Sequence, residues 1–193
     1  MKKTKYLILA FVVIIVLWAI SGYNGLVSGE ETVSNSWANV EAAYQRRADL
    51  IPQLVNTVKG YAKHESSTFD NLVKARAEAT QIKVDVEELT EQNIYRYQQA
   101  QNVINSGLGR LIAISENYPA LKASENFSEL QAQLEGTENR INEARKKYNE
   151  SVKNFNVKVR KFPTNILASV FNFERKSEFS SVEGTEKAPE VIF

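Results

Sequence analysis

The sequence predicts an all-α protein: an N-terminal transmembrane helix followed by an antiparallel four-helix bundle with long helices. Three observations carry that prediction. Fifteen apolar residues run without interruption from Tyr6 to Ile20. Trp37, Val40, Tyr44, Arg47, Ile51, Leu54, Val58 and Tyr61 then recur alternately three and four apart, which places them on one helical face. Helix breakers are scarce beyond the apolar segment, with only Pro52, Gly60 and Gly107 between Glu30 and Leu108.

The apolar segment comes first. Fifteen helical residues rise about 22 Å, short of the ~30 Å hydrocarbon core, whereas Tyr6 to Val27 would rise about 33 Å. Residues 1–27 are therefore assigned as a membrane anchor that meets the lipid bilayer through residues 6–27. A cleaved signal is the other reading, supported by the Lys-rich start and the small-x-small site Ala19-Ile20-Ser21. The bulky Trp18 near that site and the interfacial Tyr23 favour retention. Lys2, Lys3 and Lys5 precede the segment, while the twenty residues after Tyr23 hold Glu30, Glu31 and Glu41 and no Lys or Arg. The positive-inside rule then puts the N-terminus in the cytoplasm and the bundle outside.

The bundle is expected over residues 28–163. Its first helix, from about Glu30 to His64, carries the seam above, with Pro52 inside it removing one hydrogen bond and bending it. The second carries Leu72, Ala75, Ala79 and Ile82. Thr90 followed by Glu91 reads as a fresh N-cap, opening a third helix with Ile94, Tyr97, Gln101, Ile104, Leu108 and Leu111 that ends near Glu116. The fourth starts after Ser124 with Phe127, Leu130, Leu134, Thr137, Ile141, Ala144 and Tyr148. It continues through Val152, Phe155, Val159 and Phe162 after a one-residue stutter, and Pro163 stops it. Four amphipathic stripes joined by short turns are most economically buried against one another as a bundle. In the tail, 164–193, a patch of Ile166, Leu167, Val170, Phe171 and Phe173 should pack on the bundle, and the stretch from Ser180 to Lys187 should be mobile.

Composition narrows the function. A hydrophobic content of 43% and a charged content of 24% are ordinary for a globular protein and argue against disorder. Net charge is +1, and once the three N-terminal lysines are set aside the rest is slightly acidic, with no basic stripe to neutralise phosphates. Nucleic acid is an unexpected partner on that ground. The absence of cysteine removes disulfides, thiol catalysis and Cys-ligated zinc.

No catalytic or metal-binding constellation emerges, and no cofactor is expected. His64 is the lone histidine, so a nucleophile–histidine system would have to run through it, and a helix-end histidine facing the negative end of the dipole is the plainer reading. A di-iron site in a helical bundle needs two Glu-x-x-His motifs, and the chain has none. Glu135 and Glu138 lie one turn apart and without histidine would at best hold a weak hard cation. Gly107-Leu108-Gly109 does not complete a phosphate loop. The candidate of most weight is the cluster Arg46, Arg47 and Asp49. Arg47, on the seam, needs an acidic partner, and Glu135 or Glu138 from the fourth helix would give a buried polar layer that fixes register. Alternatively Arg46 and Arg47 receive an acidic protein or a lipid headgroup. The terminal Val191-Ile192-Phe193 either packs down or offers its carboxylate to a strand-adding groove.

The run Val40-Glu41-Ala42-Ala43-Tyr44-Gln45-Arg46-Arg47-Ala48-Asp49-Leu50-Ile51-Pro52-Gln53-Leu54-Val55, followed by Val58-Lys59-Gly60-Tyr61-Ala62-Lys63-His64-Glu65, resembles the LemA family. So do Tyr23-Asn24, Glu116-Asn117-Tyr118-Pro119, Leu134-Glu135-Gly136-Thr137-Glu138-Asn139-Arg140-Ile141, Arg145, Tyr148-Asn149, Phe162-Pro163 and Pro189-Glu190-Val191-Ile192-Phe193. Two departures stand out: Gly109 in place of an expected Ser, at a helix cost of about 1 kcal/mol, and Phe155 in place of a Tyr. The resemblance implies a bacterial protein with a single span and a helical-bundle domain, and it lends no catalytic residues. The expected function is that of a non-enzymatic envelope protein, scaffolding other membrane proteins or itself through helical surfaces. The competing expectation is an enzyme or small-molecule binder with a site between helices.

Overall fold

The computed structural model describes residues 2–180, which are helical almost throughout, with no strand among them. In order they form α1 (Lys2–Lys59), α2 (Ser66–Gln81), a 3-10 turn at Val86–Glu88, α3 (Glu91–Glu116), α4 (Pro119–Lys122), α5 (Glu125–Arg160) and α6 (Thr164–Val170). The C-terminal Val191-Ile192-Phe193 and the stretch from 181 to Lys187 lie outside the described residues.

α1 differs from expectation in its length. Instead of an anchor ending near Val27 and a separate helix from Glu30, a single helix of 58 residues runs from Lys2 through Pro52 to Lys59, about 87 Å at the standard rise. Gly22, Gly25 and Gly29 lower helix propensity between the two segments, but at Gly22 and Gly29 tertiary packing favours a small residue. A Cβ at Gly22 would stand 2.5 Å from Leu167 Cδ1, and one at Gly29 would stand 3.1 Å from Phe155 Cδ2. Gly22 and Gly29 let α6 and α5 approach the helix without ending it.

The buried seam also begins earlier than the sequence pattern suggests. Leu26 and Val33 are fully buried, continuous with Trp37, Val40, Tyr44, Arg47, Ile51, Leu54 and Val58. It ends earlier too: Tyr61 is 46% exposed, because α1 stops at Lys59 and the turn at Gly60 hands the core position to Ala62. Thr90 caps α3, its hydroxyl accepting from the Asn93 amide at 3.3 Å. α3 ends at Glu116, and Pro119 opens α4, where a missing N–H costs nothing. Phe162 is 75% exposed, because α5 closes at Arg160 and leaves that ring off the stripe.

α5 lies along α1 in the reverse direction: Lys158 reaches Gly25, Ser151 meets Ser36 at 2.6 Å, and Glu138 meets Arg47. α2 and α3 pack on each other and on the far part of α1. Two cores result. The far one is mainly aliphatic and gathers Ile51, Leu54, Val58, Leu72, Ile104, Leu108 and Leu111 with Phe69 and Phe127. The near one is aromatic, with Trp37, Tyr44, Tyr97, Tyr148, Phe155 and Phe179. A small third cluster, Leu26, Leu167 and Ala168, fastens α6 to α1. Leu167 of the tail patch is buried and Phe173 half-buried, while Ile166, Val170 and Phe171 stay exposed.

Candidate functional site

Arg47 sits on α1 between the two cores and is 0% exposed. Its guanidinium fork joins three helices. Nη1 donates to Glu138 Oε2 on α5 at 3.1 Å and to Asn105 Oδ1 on α3. Nη2 donates to Gln101 Oε1 at 2.7 Å and to the Gln101 carbonyl at 3.4 Å, both on α3. The guanidinium also lies 5.0 Å from the Tyr44 ring centroid, close enough for a favourable cation–π contact. Burial pulls the arginine pKa down, and the charge of Glu138 opposes that pull. Arginine's high intrinsic pKa keeps the group charged, and its planar fork suits this multi-point bracing better than lysine would.

The remaining candidates are placed elsewhere. Glu135 is exposed and lines an open groove between α3 and α5, together with Glu138, Leu108, Gly109 and Ile112. Arg46 is exposed and donates to Gln133 Oε1 at 3.4 Å. Asp49 is exposed, accepts from Gln45 Nε2 at 2.8 Å and lies 3.9 Å from Arg76 of α2. Of the five, then, only Arg47 and Glu138 meet in one layer. Sequence reasoning did not single out Gln101 and Asn105 as partners. Gln101 carried a signal, being the polar residue on the stripe of α3 as Arg47 is on that of α1; Asn105, off that stripe, carried none.

A second polar arrangement had no signal in hydrophobic periodicity. Residues 174–180 run extended along α5, tied by two asparagine amides. Asn156 donates to the Lys176 carbonyl at 2.8 Å and accepts from its N–H at 3.0 Å. Asn149 does the same for Phe179, at 3.0 and 2.9 Å. Seven helical residues rise about 10.5 Å and three extended residues about 10 Å, so the two ladders match in step. Tyr148 donates its hydroxyl to the Ser177 carbonyl at 2.8 Å, and the Ser177 amide donates to Leu89 O at 2.9 Å. Lys176 is buried and paired with Glu30 at 3.0 Å. Phe179 stacks on Trp37 with centroids 5.9 Å apart, under the Arg145 guanidinium. Ser180, expected to begin a mobile stretch, is held through its carbonyl by Gln98 and Arg145.

The chemistry of both arrangements is cohesive. Burial pushes the hydroxyls of Tyr44, Tyr97 and Tyr148 up from their ordinary value, so they stay protonated at neutral pH. His64 is exposed beyond the end of α1. Among the described residues, no group of three His, Asp or Glu side chains lies close enough to hold a metal ion.

Among the described residues, one helix long and apolar enough to cross a membrane, continuous with an all-helical domain braced from within, defines the class: a helical protein whose N-terminal segment fits a single-pass membrane anchor. Within that class the chain belongs to the LemA family, whose model matches residues 36–193. It is 24% identical over 160 residues to the protein LemA of Metamycoplasma hominis, covering 83% of this chain and 69% of that one. It is 26% identical over 174 residues to magnetosome protein MamQ of Magnetospirillum gryphiswaldense and to magnetosome protein MamQ 1 of Paramagnetospirillum magneticum, covering 81% of this chain. The chain spans 64% of the length of those MamQ proteins.

Proposed function

We propose that the protein is a non-enzymatic scaffold of the bacterial envelope, anchored once in the cytoplasmic membrane. Its N-terminus is cytoplasmic, residues 1–27 hold the bilayer, and residues 28–163 form an antiparallel four-helix bundle outside it. The bundle offers its helical surfaces to other membrane proteins or to a second copy. The observation that carries this reading is α1, which leaves the apolar segment and enters the buried seam without a break. A rod of that kind fixes a bundle at a set height above a membrane. Two further features support the reading. The Nη1 and Nη2 groups of Arg47 are taken up by Gln101, Asn105 and Glu138, and exposed Val73, Tyr95 and Val103 leave apolar points on α2 and α3 for a partner.

The test is in-cell photocrosslinking from Val73, Tyr95 and Val103 of the full chain, with mass spectrometry of the adducts. A defined membrane-protein partner or a homo-oligomer is expected. A substrate turned over by the purified chain, with turnover lost in a folded Glu135, Glu138 or His64 variant, would contradict the reading. For orientation, an alkaline phosphatase fused after Phe193 should be active, and an inactive fusion would reverse the assignment.

A further inference from the structure

Exposed apolar surface is unevenly placed on this molecule. Among the described residues beyond Ile20, ten large apolar or aromatic side chains are exposed, and half of them, Tyr23, Phe162, Ile166, Val170 and Phe171, belong to α6, its flanks and the part of α1 it touches. The opposite side of α6 is apolar as well, since Leu167 and Ala168 are buried against α1. Asn165 and Ser169 give α6 one polar edge, and beside that edge Ile166 and Val170 leave an exposed apolar strip that none of the described residues covers.

Its height along α1 says what covers the other side. Leu167 closes on Gly22, the Tyr23 ring lies 4.8 Å from Phe171 and 5.8 Å from Phe173, and Ala19 and Leu26 share the cluster of Leu167. α6 is therefore packed beside residues 19–26. Tyr6–Ile20 alone rises only about 22 Å, so filling a ~30 Å hydrocarbon core draws in the next few residues. Those are the residues α6 rests on.

Charge agrees with height. Residues 151–173 contain Lys153, Lys158, Arg160 and Lys161 and no acid. Arg160 and Lys161 are exposed next to Phe162 and share a surface recess with Arg175, where Glu178 is the one acid on the rim. Basic side chains bordering exposed aromatics and aliphatics are the composition of a segment lying in a headgroup layer. This cluster is not an orientation signal, because the positive-inside rule counts short flanks of the span and not residues a whole domain away.

We propose that α6 and the last turn of α5 form a second membrane contact, immersed in the interface of the leaflet from which α1 emerges, with Arg160, Lys161 and Arg175 on anionic phospholipid headgroups. This rests on α1 being a membrane anchor. It means that the bundle is held at two points and cannot spin about α1.

The chain has no cysteine, so single-cysteine nitroxide labels can be placed on the full-length protein in nanodiscs. One set of discs is phosphatidylcholine alone, the other phosphatidylcholine with phosphatidylglycerol. The readout is each label's accessibility to oxygen relative to a nickel chelate, at Ile14→Cys, Ile166→Cys, Val170→Cys, Val73→Cys and Val103→Cys. Labels at 166 and 170 should give ratios several-fold above those at 73 and 103 and approach that at 14. Arg160→Glu with Lys161→Glu should lower the ratio at 170 in anionic discs and not in neutral ones. Labels at 166 and 170 that match 73 in both lipids, while 14 reads as lipid, would overturn the contact and leave the anchor standing. Labels shielded from both reagents would mean a protein covers the face, and would also overturn it. A water-exposed label at 14 would bring down the anchor and the contact together. An unchanged ratio in the charge variant would overturn the headgroup assignment.

Discussion

From Lys3 to Trp18 every side chain of α1 is exposed, whereas from Leu26 to Val58 every third or fourth one is sealed in a core. The same helix thus has the composition for two different surroundings. In the first part apolarity is uniform around the axis, as suits a surrounding of lipid. In the second it is confined to a stripe, as suits neighbouring helices on one side and water on the other. Arg47 sharpens the contrast: the bundle half carries a fully buried charge and the span half carries none, because only the bundle half has Gln101, Asn105 and Glu138 to receive it.

The largest effect should come from removing that charge. Arg47→Ala leaves a cavity and unpaired acceptors on α3 and should cost about 3–5 kcal/mol in denaturation of the full chain in detergent. The orphaned carboxylate alone does not account for this, since the Glu138 side chain is 42% exposed and can be hydrated. Arg46→Ala, one residue round the same helix, should stay within about 0.5 kcal/mol. Equal losses from the two would erase the distinction between seam and surface. In the span half, Ile14→Lys should cost about 3 kcal/mol in membrane insertion while leaving the melting of the bundle unchanged. Loss of bundle stability in that variant would mean that Ile14 is a core residue and not a lipid-facing one.

Much of the bundle half was legible because its stripe is nearly unbroken. Trp37 to Val58, the Thr90 cap and the end of α3 at Glu116 all follow from local pattern. What was not legible depends on contacts between distant segments. The reason for glycine at 22 and 29 is one such contact, since only the approach of Leu167 and Phe155 shows what a side chain there would meet. Glu138 could be nominated for Arg47 by helical spacing and Gln101 stood on the α3 stripe, but Asn105 is neutral, lies off that stripe and resembles an ordinary surface residue. Phe162 looked like the next stripe position, yet a helix ending two residues earlier carries it outward. The extended segment from Glu174 to Ser180 has no periodicity to detect, since asparagine side chains and backbone groups hold it.

That segment seals the bundle half alone and supplies the next test. Asn156→Ala strips the partners from the Lys176 N–H and carbonyl, both buried, at a cost of about 1–3 kcal/mol. Hydrogen exchange should accelerate at Lys176 and Phe179 and not within Tyr6–Ile20. Exchange that is unchanged at Lys176 would show that the asparagine ladder does not hold the segment. The smallest effect concerns Glu41, whose carboxyl is pushed above its usual 4.5 chiefly by burial, with Asp85 adding to the shift. Its folded form binds a proton more readily than its unfolded form, so this residue's contribution is full below pH 4.5 and declines as pH rises through the raised folded value. Glu41→Gln should therefore melt slightly higher than the parent at pH 7, with the gap closing below pH 4.5. A gap that widens on acidification would reverse the sign.

The central claim is that one unbroken helix joins membrane and bundle. Paired spin labels at Ile14→Cys and Asn39→Cys in nanodisc-embedded full-length protein report on it directly, since 25 residues of continuous helix separate the backbones by about 38 Å. A single narrow distance distribution centred near that value is the expected result. A broad distribution, or one centred many ångströms shorter, would place a hinge between the span and the bundle and contradict the rod.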